Sequence, residues 1–404
     1  MPATQTAQIV IGAQFGDEGK GWLTAHLAAK TGSDGIVVRF NGGAQAGHTV
    51  LTPDGRRHVF SHFGSGALSG SATYLSRFFV TNPLLFLKER EVLDAKSITP
   101  TVYVDPASPV TTPYDMMINQ IIEQERGADR HGSCGVGFGE TLERHLDSGF
   151  ALNVADLRDH ATLRNQLNRI RHEYVPTRLA RLGFASAFAT HNDLFRSDAI
   201  FEHYLEDVGR FLDITIAADA RTAIGDRPLI FEGAQGLRLD QDRGYFPHVT
   251  RSNTGLRNVL ILADELGLTR LDLYYVTRAY LTRHGAGPLP RELPAKPYPG
   301  IVDTTNIPND YQGALRFADL DLDDLGHAIR TDLSDASAYP TLTVNAGLAI
   351  TCLDQLGGAA VRYYRDGIQH RGSVEDLAAA AAETTGLKRI LLNFGPSGEP
   401  RLNA

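Results

Sequence analysis

Near the start of the chain, Ile9-Val10-Ile11 leads into Gly12-Ala13-Gln14-Phe15-Gly16-Asp17-Glu18-Gly19-Lys20-Gly21. An apolar stretch thus ends in a loop that carries four glycines, an acid pair and a lysine. A second glycine loop follows, Asn41-Gly42-Gly43-Ala44-Gln45-Ala46-Gly47-His48-Thr49. Together they suit the movement of a phosphoryl group. Bare backbone N–H groups can wrap phosphate oxygens where side chains are absent. That marks Gly16, Glu18, Gly19, Gly21, Gly47 and Thr49 as phosphate-binding candidates. Lys20 supplies positive charge, and Asp17 can hold Mg²⁺. His48 can stabilise charge developing on a transferred group. The first loop is not the Walker pattern, because neither Ser nor Thr follows Lys20 and Trp22 stands two residues on. Taken alone, it also fits a surface turn, and Gly47-His48-Thr49 also fits a turn with a capping Thr.

Phe231-Glu232-Gly233-Ala234-Gln235-Gly236 repeats the arrangement and leads into Val249-Thr250-Arg251-Ser252-Asn253-Thr254. So many amides and hydroxyls suit a polar ring or a phosphate, or a hydrated loop with Asx turns. Thr282-Arg283-His284-Gly285-Ala286-Gly287-Pro288 is a fourth loop of this kind. Four glycine loops, each expected after a strand, point to one ligand cleft, since ligands bind at the carboxyl ends of strands in open parallel sheets.

The elements that must position these loops can be read from the apolar pattern. Strands are expected at 8–12, 36–40, 228–232, 271–275 and 348–352, and helices at 19–30, 83–93 and 114–124. Residues 160–221 read as mostly helical, and Ala378 to Ala382 as part of a plain helix. Strands alternating with helices imply an α/β fold with a largely parallel central sheet covered on both faces. Six prolines between Pro288 and Pro308 mark a long loop, which in such an enzyme often covers a site.

The 404 residues suffice for one large α/β domain or two smaller ones. A net charge of −8 argues against a general nucleic-acid binder. The two cysteines, Cys134 and Cys352, lack metal-ligand spacing and read as reduced cytosolic thiols. No signal peptide is read at the N-terminus, and no apolar run approaches the roughly 18 residues of a membrane span. A cytoplasmic location is the expectation.

Gly12 to Gly21, Ala46 to Thr49, Phe231 to Gly236, Val249 to Thr254 and Thr282 to Pro288 closely resemble the adenylosuccinate synthetase family. The motifs occur in the same order from residue 9 to about 356. Gly132-Ser133-Cys134-Gly135-Val136-Gly137 resembles the family's Gly-Thr-Thr-Gly-x-Gly segment, and Asn82-Pro83 to Glu91 is similar to short archaeal and phage-type members. The resemblance implies a P-loop-NTPase-like fold with long active-site loops, a single domain over 1–404, and a homodimer. It implies a two-step ligation with GTP, IMP, L-aspartate and Mg²⁺. The O6 of the 6-oxopurine attacks the γ-phosphate, and the amine of aspartate then displaces phosphate. Asp17 would take the N1 proton and bind the metal together with the Gly47 carbonyl. Lys20 and the loop amides would neutralise phosphate charge, with His48 on the transferring group. Gln235 would hold the base, and Asn41, Gln45, Ser133, Cys134 and Thr250 would contact the acceptor nucleotide.

The chain departs from the family where ligands are read. The family's arginine-rich aspartate loop is represented by Thr304-Thr305 through Asp321, with Arg316 as the one remaining arginine. A dicarboxylate needs a cation, so Thr304, Thr305 and Arg316 are the candidates for aspartate. The family's base-reading Thr-Lys-x-Asp is Thr351-Cys352-Leu353-Asp354, and its terminal Ser-Thr-Gly-Pro is Asn393-Phe394-Gly395-Pro396. Cys352, Asp354 and Gly395 are therefore expected at the donor base, with relaxed GTP selectivity and ATP as a possible donor. By resemblance, phage enzymes acting on dGMP replace the catalytic Asp with a smaller residue. Retained Asp17 favours an IMP-like acceptor, with a dGMP-type paralogue or a non-catalytic nucleotide-binding regulator as alternatives.

Overall fold

The computed structural model describes residues 6–127, 132–303 and 313–403. Its centre is a ten-stranded sheet. Across it lie Arg401–Asn403, Ile390–Leu392, Thr343–Thr351, Arg270–Arg278, Thr6–Gly12, Leu229–Glu232, Ile36–Arg39, Ala72–Leu75, Val102–Val104 and Ile216–Ala217. Every neighbouring pair is parallel except the outermost, where Arg401–Asn403 runs antiparallel. Ile36–Arg39 and Leu229–Glu232 are buried at every position, which is why they read as continuous apolar runs rather than alternating ones. Parallel strands need crossovers, and helices such as Lys20–Ala29 and Arg257–Leu266 supply them. The expected α/β architecture is the observed one.

Helix starts follow local chemistry. Asn82 accepts from the Leu85 N–H and Pro83 takes the first helical position of Pro83–Asp94. Thr112 and Asp115 form a reciprocal capping box at the start of Pro113–Arg126. The mostly helical stretch after residue 160 contains His160–Arg169, Val175–Arg181 and Asp198–Asp213, then returns to the sheet edge as Ile216–Ala217. No described helix is long and apolar enough to cross a membrane.

Two expectations need correction. The fourth glycine loop follows Tyr280–Arg283, a strand of a separate five-stranded sheet where it pairs antiparallel with Arg316–Asp321. The chain leaves the central strand at Arg278 and enters this second sheet two residues later, too short a break to see in the pattern. The strand expected to reach Cys352 stops at Thr351, because Cys352 turns left-handed with φ 59°.

Helix Phe138–His145 is fastened to Pro113–Arg126 by Arg144 and Asp115, both fully buried. Arg144 donates from Nε at 2.8 Å and from Nη2 at 2.9 Å, a two-point contact. Removing one partner of a buried pair strands the other charge. Arg144→Met is therefore expected to cost about 3–5 kcal/mol in urea unfolding. A loss below about 1 kcal/mol would show that the pair is not structural.

Candidate active site

The carboxyl ends of the central strands open into one cleft of about 1400 Å³. Gly16, Asp17, Glu18, Gly19, Lys20, Gly21, Gln45, Gly47, His48 and Thr49 all line it. So do Ser133, Cys134, Gln235, Thr250, Cys352, Asp354 and Gly395. Arg283, His284 and Ala286 of the fourth glycine loop line it as well, so all four glycine loops meet there together with Ser133, Cys134, Cys352, Asp354 and Gly395.

The loops are tied to one another. The Asn41 amide accepts from the Ala234 N–H at 2.7 Å and donates to the Ala234 carbonyl at 3.0 Å. Asn41 is fully buried and does not line the cleft, so its expected role as a substrate contact is corrected to a brace between loops. Thr351 Oγ1 donates to the Glu18 carbonyl at 2.8 Å, and Arg278 Nε donates to the Asp17 carbonyl. At Gly12 even a Cβ would press into the Glu18 carboxylate and the Gln235 carbonyl. Asp17, Gln235 and Cys352 all have positive φ, at 53°, 61° and 59°. Such backbone strain at non-glycine residues persists only where surrounding bonds over-determine it, and it gathers at functional sites.

His48 sits 2.7 Å from Glu232 through Nδ1. Glu232 is fully buried and also accepts from the Ser65 N–H at 2.9 Å and from the Ser65 hydroxyl. Burial alone would raise the Glu232 carboxyl, but His48, Arg39 and Ser65 outweigh it and hold it below its usual range. The ionised carboxylate can only accept, so Nδ1 keeps its proton and donates it in the hydrogen bond to Glu232. Burial, opposed by Glu232, lowers His48 to about 4, so its ring is neutral and Nε2 is bare. Nε2 is buried and has no hydrogen-bond partner among the described residues.

Glu18 and Lys20 are each 3 % exposed and stand 4.0 Å apart. Burial pushes Glu18 up to about 8 against the pull of Lys20, and burial lowers Lys20 as well. Glu18 Oε1 accepts from the Gln14 N–H at 2.5 Å, so this side chain shapes the loop from within. Both amide atoms of Gln45 and Oε1 of Gln235 are also buried without a partner among the described residues. Buried polar groups are normally satisfied. Their clustering on cleft-lining residues marks a polar ligand site.

At the other end, Cys352, Asp354 and Asn393 line the cleft beside Arg278. Arg278 donates to the Tyr280 hydroxyl at 3.2 Å and stands 3.8 Å from Asp303. Burial raises the Cys352 thiol, opposed by Arg278. A cation therefore adjoins the position where the family has lysine, supplied by a different strand.

Arg316 does not line the cleft. Its guanidinium grips Glu292, with Nε at 2.7 Å, and donates to the carbonyls of Gly285 and Gly287 at 3.1 and 2.8 Å. The expectation that it binds aspartate is corrected: its donors already clamp the fourth loop. Thr304 and Thr305 lie outside the described residues. Sequence reasoning did not single out Glu232, Ser65, Arg278 or His284, whose Nε2 stands 3.4 Å from Asp17 Oδ2. A signal existed for Glu232 and Arg39, since each is a charge closing an otherwise apolar strand.

The arrangement offers a carboxylate, a buried lysine, a neutral imidazole and unfilled amides around one cavity, a set suited to activating an oxygen with a phosphoryl group. Comparison with known proteins agrees. The family profile "Adenylosuccinate synthetase" matches residues 9–318. The chain is 32% identical over 405 residues to the adenylosuccinate synthetase of Burkholderia mallei, covering 96% of this chain and 85% of that one. The Ralstonia pickettii enzyme of the same name is 32% identical over 390 residues, covering 89% and 80%. Among solved structures, fully ligated adenylosuccinate synthetase from Plasmodium falciparum superposes with a TM-score of 0.70 at 18% identity, covering 96% and 97%. The cyanophage S-2L succinoaminodeoxyadenylate synthetase (PurZ), bound to dGMP and to dATP as an energy donor, gives 0.60 at 15% identity, covering 97% and 93%. The sequence and the fold together place this chain in the adenylosuccinate synthetase family of C–N ligases.

Proposed function

We propose that this chain joins L-aspartate to C6 of IMP, with GTP as phosphoryl donor. The observation that carries it is the convergence of Asp17, Lys20, His48 and Gln235 on one cleft. In the first step O6 bonds to the γ-phosphorus, the bond to the GDP oxygen breaks, and Asp17 takes the N1 proton. In the second the aspartate amine bonds to C6, the C6–O bond breaks, and phosphate leaves as the amine gives up a proton. A poor leaving group is thereby made a good one. Lys20 and the amides of Gly16 to Gly21 meet phosphate charge. A phosphoryl group beside Nε2 favours protonation of His48, and Glu232 balances the imidazolium. Gln235 holds the purine.

The residues present suit Mg²⁺. Among the described residues no cluster of three His, Cys, Asp or Glu suits a metal. Asp17 and the Gly47 carbonyl are hard oxygens, and Mg²⁺ takes few protein ligands, sharing substrate phosphates and waters instead. When bound, the ion neutralises donor phosphate charge. A cytoplasmic homodimer with one domain over 1–404 completes the proposal, supported by the family.

A second reading has a specific observation behind its donor half. Cys352 removes the family's base-reading lysine, so ATP joins GTP as a candidate donor. Retained Asp17 keeps the acceptor IMP-like rather than the dGMP of the cyanophage protein. A matrix of IMP, dIMP, GMP and dGMP against GTP and ATP, with aspartate, tests both. Fastest phosphate release with IMP and GTP is expected. Fastest release with dGMP would overturn the acceptor, and none at all would leave a nucleotide-binding regulator.

Three variants test the roles. Asp17→Ala should abolish turnover with the fold intact, since losing a base costs about 10²–10⁴ in rate and losing a metal ligand adds to it. Activity within about tenfold of the original chain would refute the assignment. His48→Asn should lower kcat far more than it raises the GTP KM, because its stabilisation belongs to the transition state. A raised KM with level kcat would make it a ground-state contact. Asp354→Asn should lower kcat/KM for GTP about tenfold more than for ATP, as an acceptor for guanine N1–H and N2–H₂ becomes partly a donor. Equal losses would remove Asp354 from base reading.

A further inference from the structure

We infer that Arg283 receives a carboxylate of the amino-acid substrate, a task the family gives to an arginine-rich loop that this chain lacks. The inference rests on the proposed ligation. Arg283 is 2 % exposed and lines the cleft. It donates from Nη1 to the Pro288 carbonyl at 2.7 Å and from Nη2 to the His248 carbonyl at 3.0 Å. Its Nε is buried with no partner among the described residues. Besides Arg57, four other arginines line the cleft, Arg126, Arg178, Arg251 and Arg278, and each of these four stands beside a carboxylate. Arg283 does not pair with one among the described residues. Burial pulls it down to about 10, and the neighbouring cation Arg316 acts in the same direction. A buried cation without a counter-charge is costly, and an arriving carboxylate relieves that cost with charge-assisted hydrogen bonds.

The placement fits the chemistry. The next residue, His284, stands 3.4 Å from Asp17, and the Arg283 guanidinium lies over Phe15, two residues before Asp17, in the same cleft. A carboxylate held there leaves the amine of the same small molecule free to turn toward C6. The guanidinium is held in place. It lies 4.7 Å over the Phe15 ring, and Arg316 anchors the loop through the Gly285 and Gly287 carbonyls. Gly287, at φ 102°, keeps the space: a Cβ there would press on Arg283 Nη2 and on the His248 side chain.

Arg283→Gln and Arg283→Lys test the inference in the intact chain, with thermal melts checking the fold. Two readouts are needed. The first is steady-state KM for L-aspartate, IMP and GTP. The second is exchange of the β,γ-bridging ¹⁸O of GTP in the presence of IMP and absence of aspartate, which reports the phosphoryl half-reaction alone. Arg283→Gln should raise the aspartate KM roughly 10–100-fold, the value of a hydrogen bond to a charged group. Half-reaction exchange and the nucleotide KM values should stay within about threefold. Arg283→Lys, which keeps charge but loses the fork, should raise the aspartate KM about tenfold and covers the case in which the Gln variant does not fold. An aspartate KM within threefold of the original in Arg283→Lys, or loss of exchange in proportion to ligation, would overturn the assignment. Absence of exchange in the original chain would instead overturn the ligation reading beneath it.

Discussion

Three neighbouring parallel strands end at Gly12, Arg39 and Glu232, and charge is buried where they end. Glu18, Lys20, Arg39, His48 and Glu232 are each under a tenth exposed. Removing charge from water is expensive, so burial drives Glu18 and His48 toward their neutral forms, while His48 and Arg39 keep Glu232 ionised. The rest of the structure follows from that constraint. The strands beneath must be buried on both faces to hold the charges in place, and the loops above must be tied so that no group escapes to solvent. The hydrogen bond from His48 to Glu232 anchors this cluster, because it links the second glycine loop to the end of the third strand and fixes which ring nitrogen faces the cleft.

Preorganisation of this kind is what phosphoryl transfer needs. Little covalent work falls to the protein, so catalysis is positioning and charge stabilisation. The ties between loops supply the positioning: Asn41 to Ala234, Thr351 to Glu18, Arg278 to Asp17. The unfilled donors and acceptors on Gln45, His48 and Gln235 supply the sockets. Stability is spent where function requires it, as the left-handed backbone at Asp17 and Gln235 also indicates.

Much of this was legible in the sequence because the signals are local. Glycine loops directly after apolar runs mark strand ends, and the phosphate-binding candidates all line the cleft. What escaped reading depends on contacts between distant segments. Asn41 lies in a loop that looks like a ligand loop, yet it faces Ala234, 193 residues away. Arg316 is the lone arginine where an arginine cluster is expected, yet Glu292 and two loop carbonyls claim it. Glu232 shows in the sequence only as a charge closing an apolar strand, and its partner His48 becomes evident only once the fold sets the two side by side. Conversely, the break between Arg278 and Tyr280 is too small to reveal that the chain changes sheets.

The central claim is that the acceptor oxygen becomes a phosphate oxygen. The direct measurement is to supply IMP labelled with ¹⁸O at C6, together with GTP, Mg²⁺ and aspartate, and to analyse the released phosphate by mass spectrometry. The account predicts one ¹⁸O in each phosphate released with product. Unlabelled phosphate, formed while GTP is consumed, would mean that the cluster activates water instead of the purine oxygen, and would contradict it.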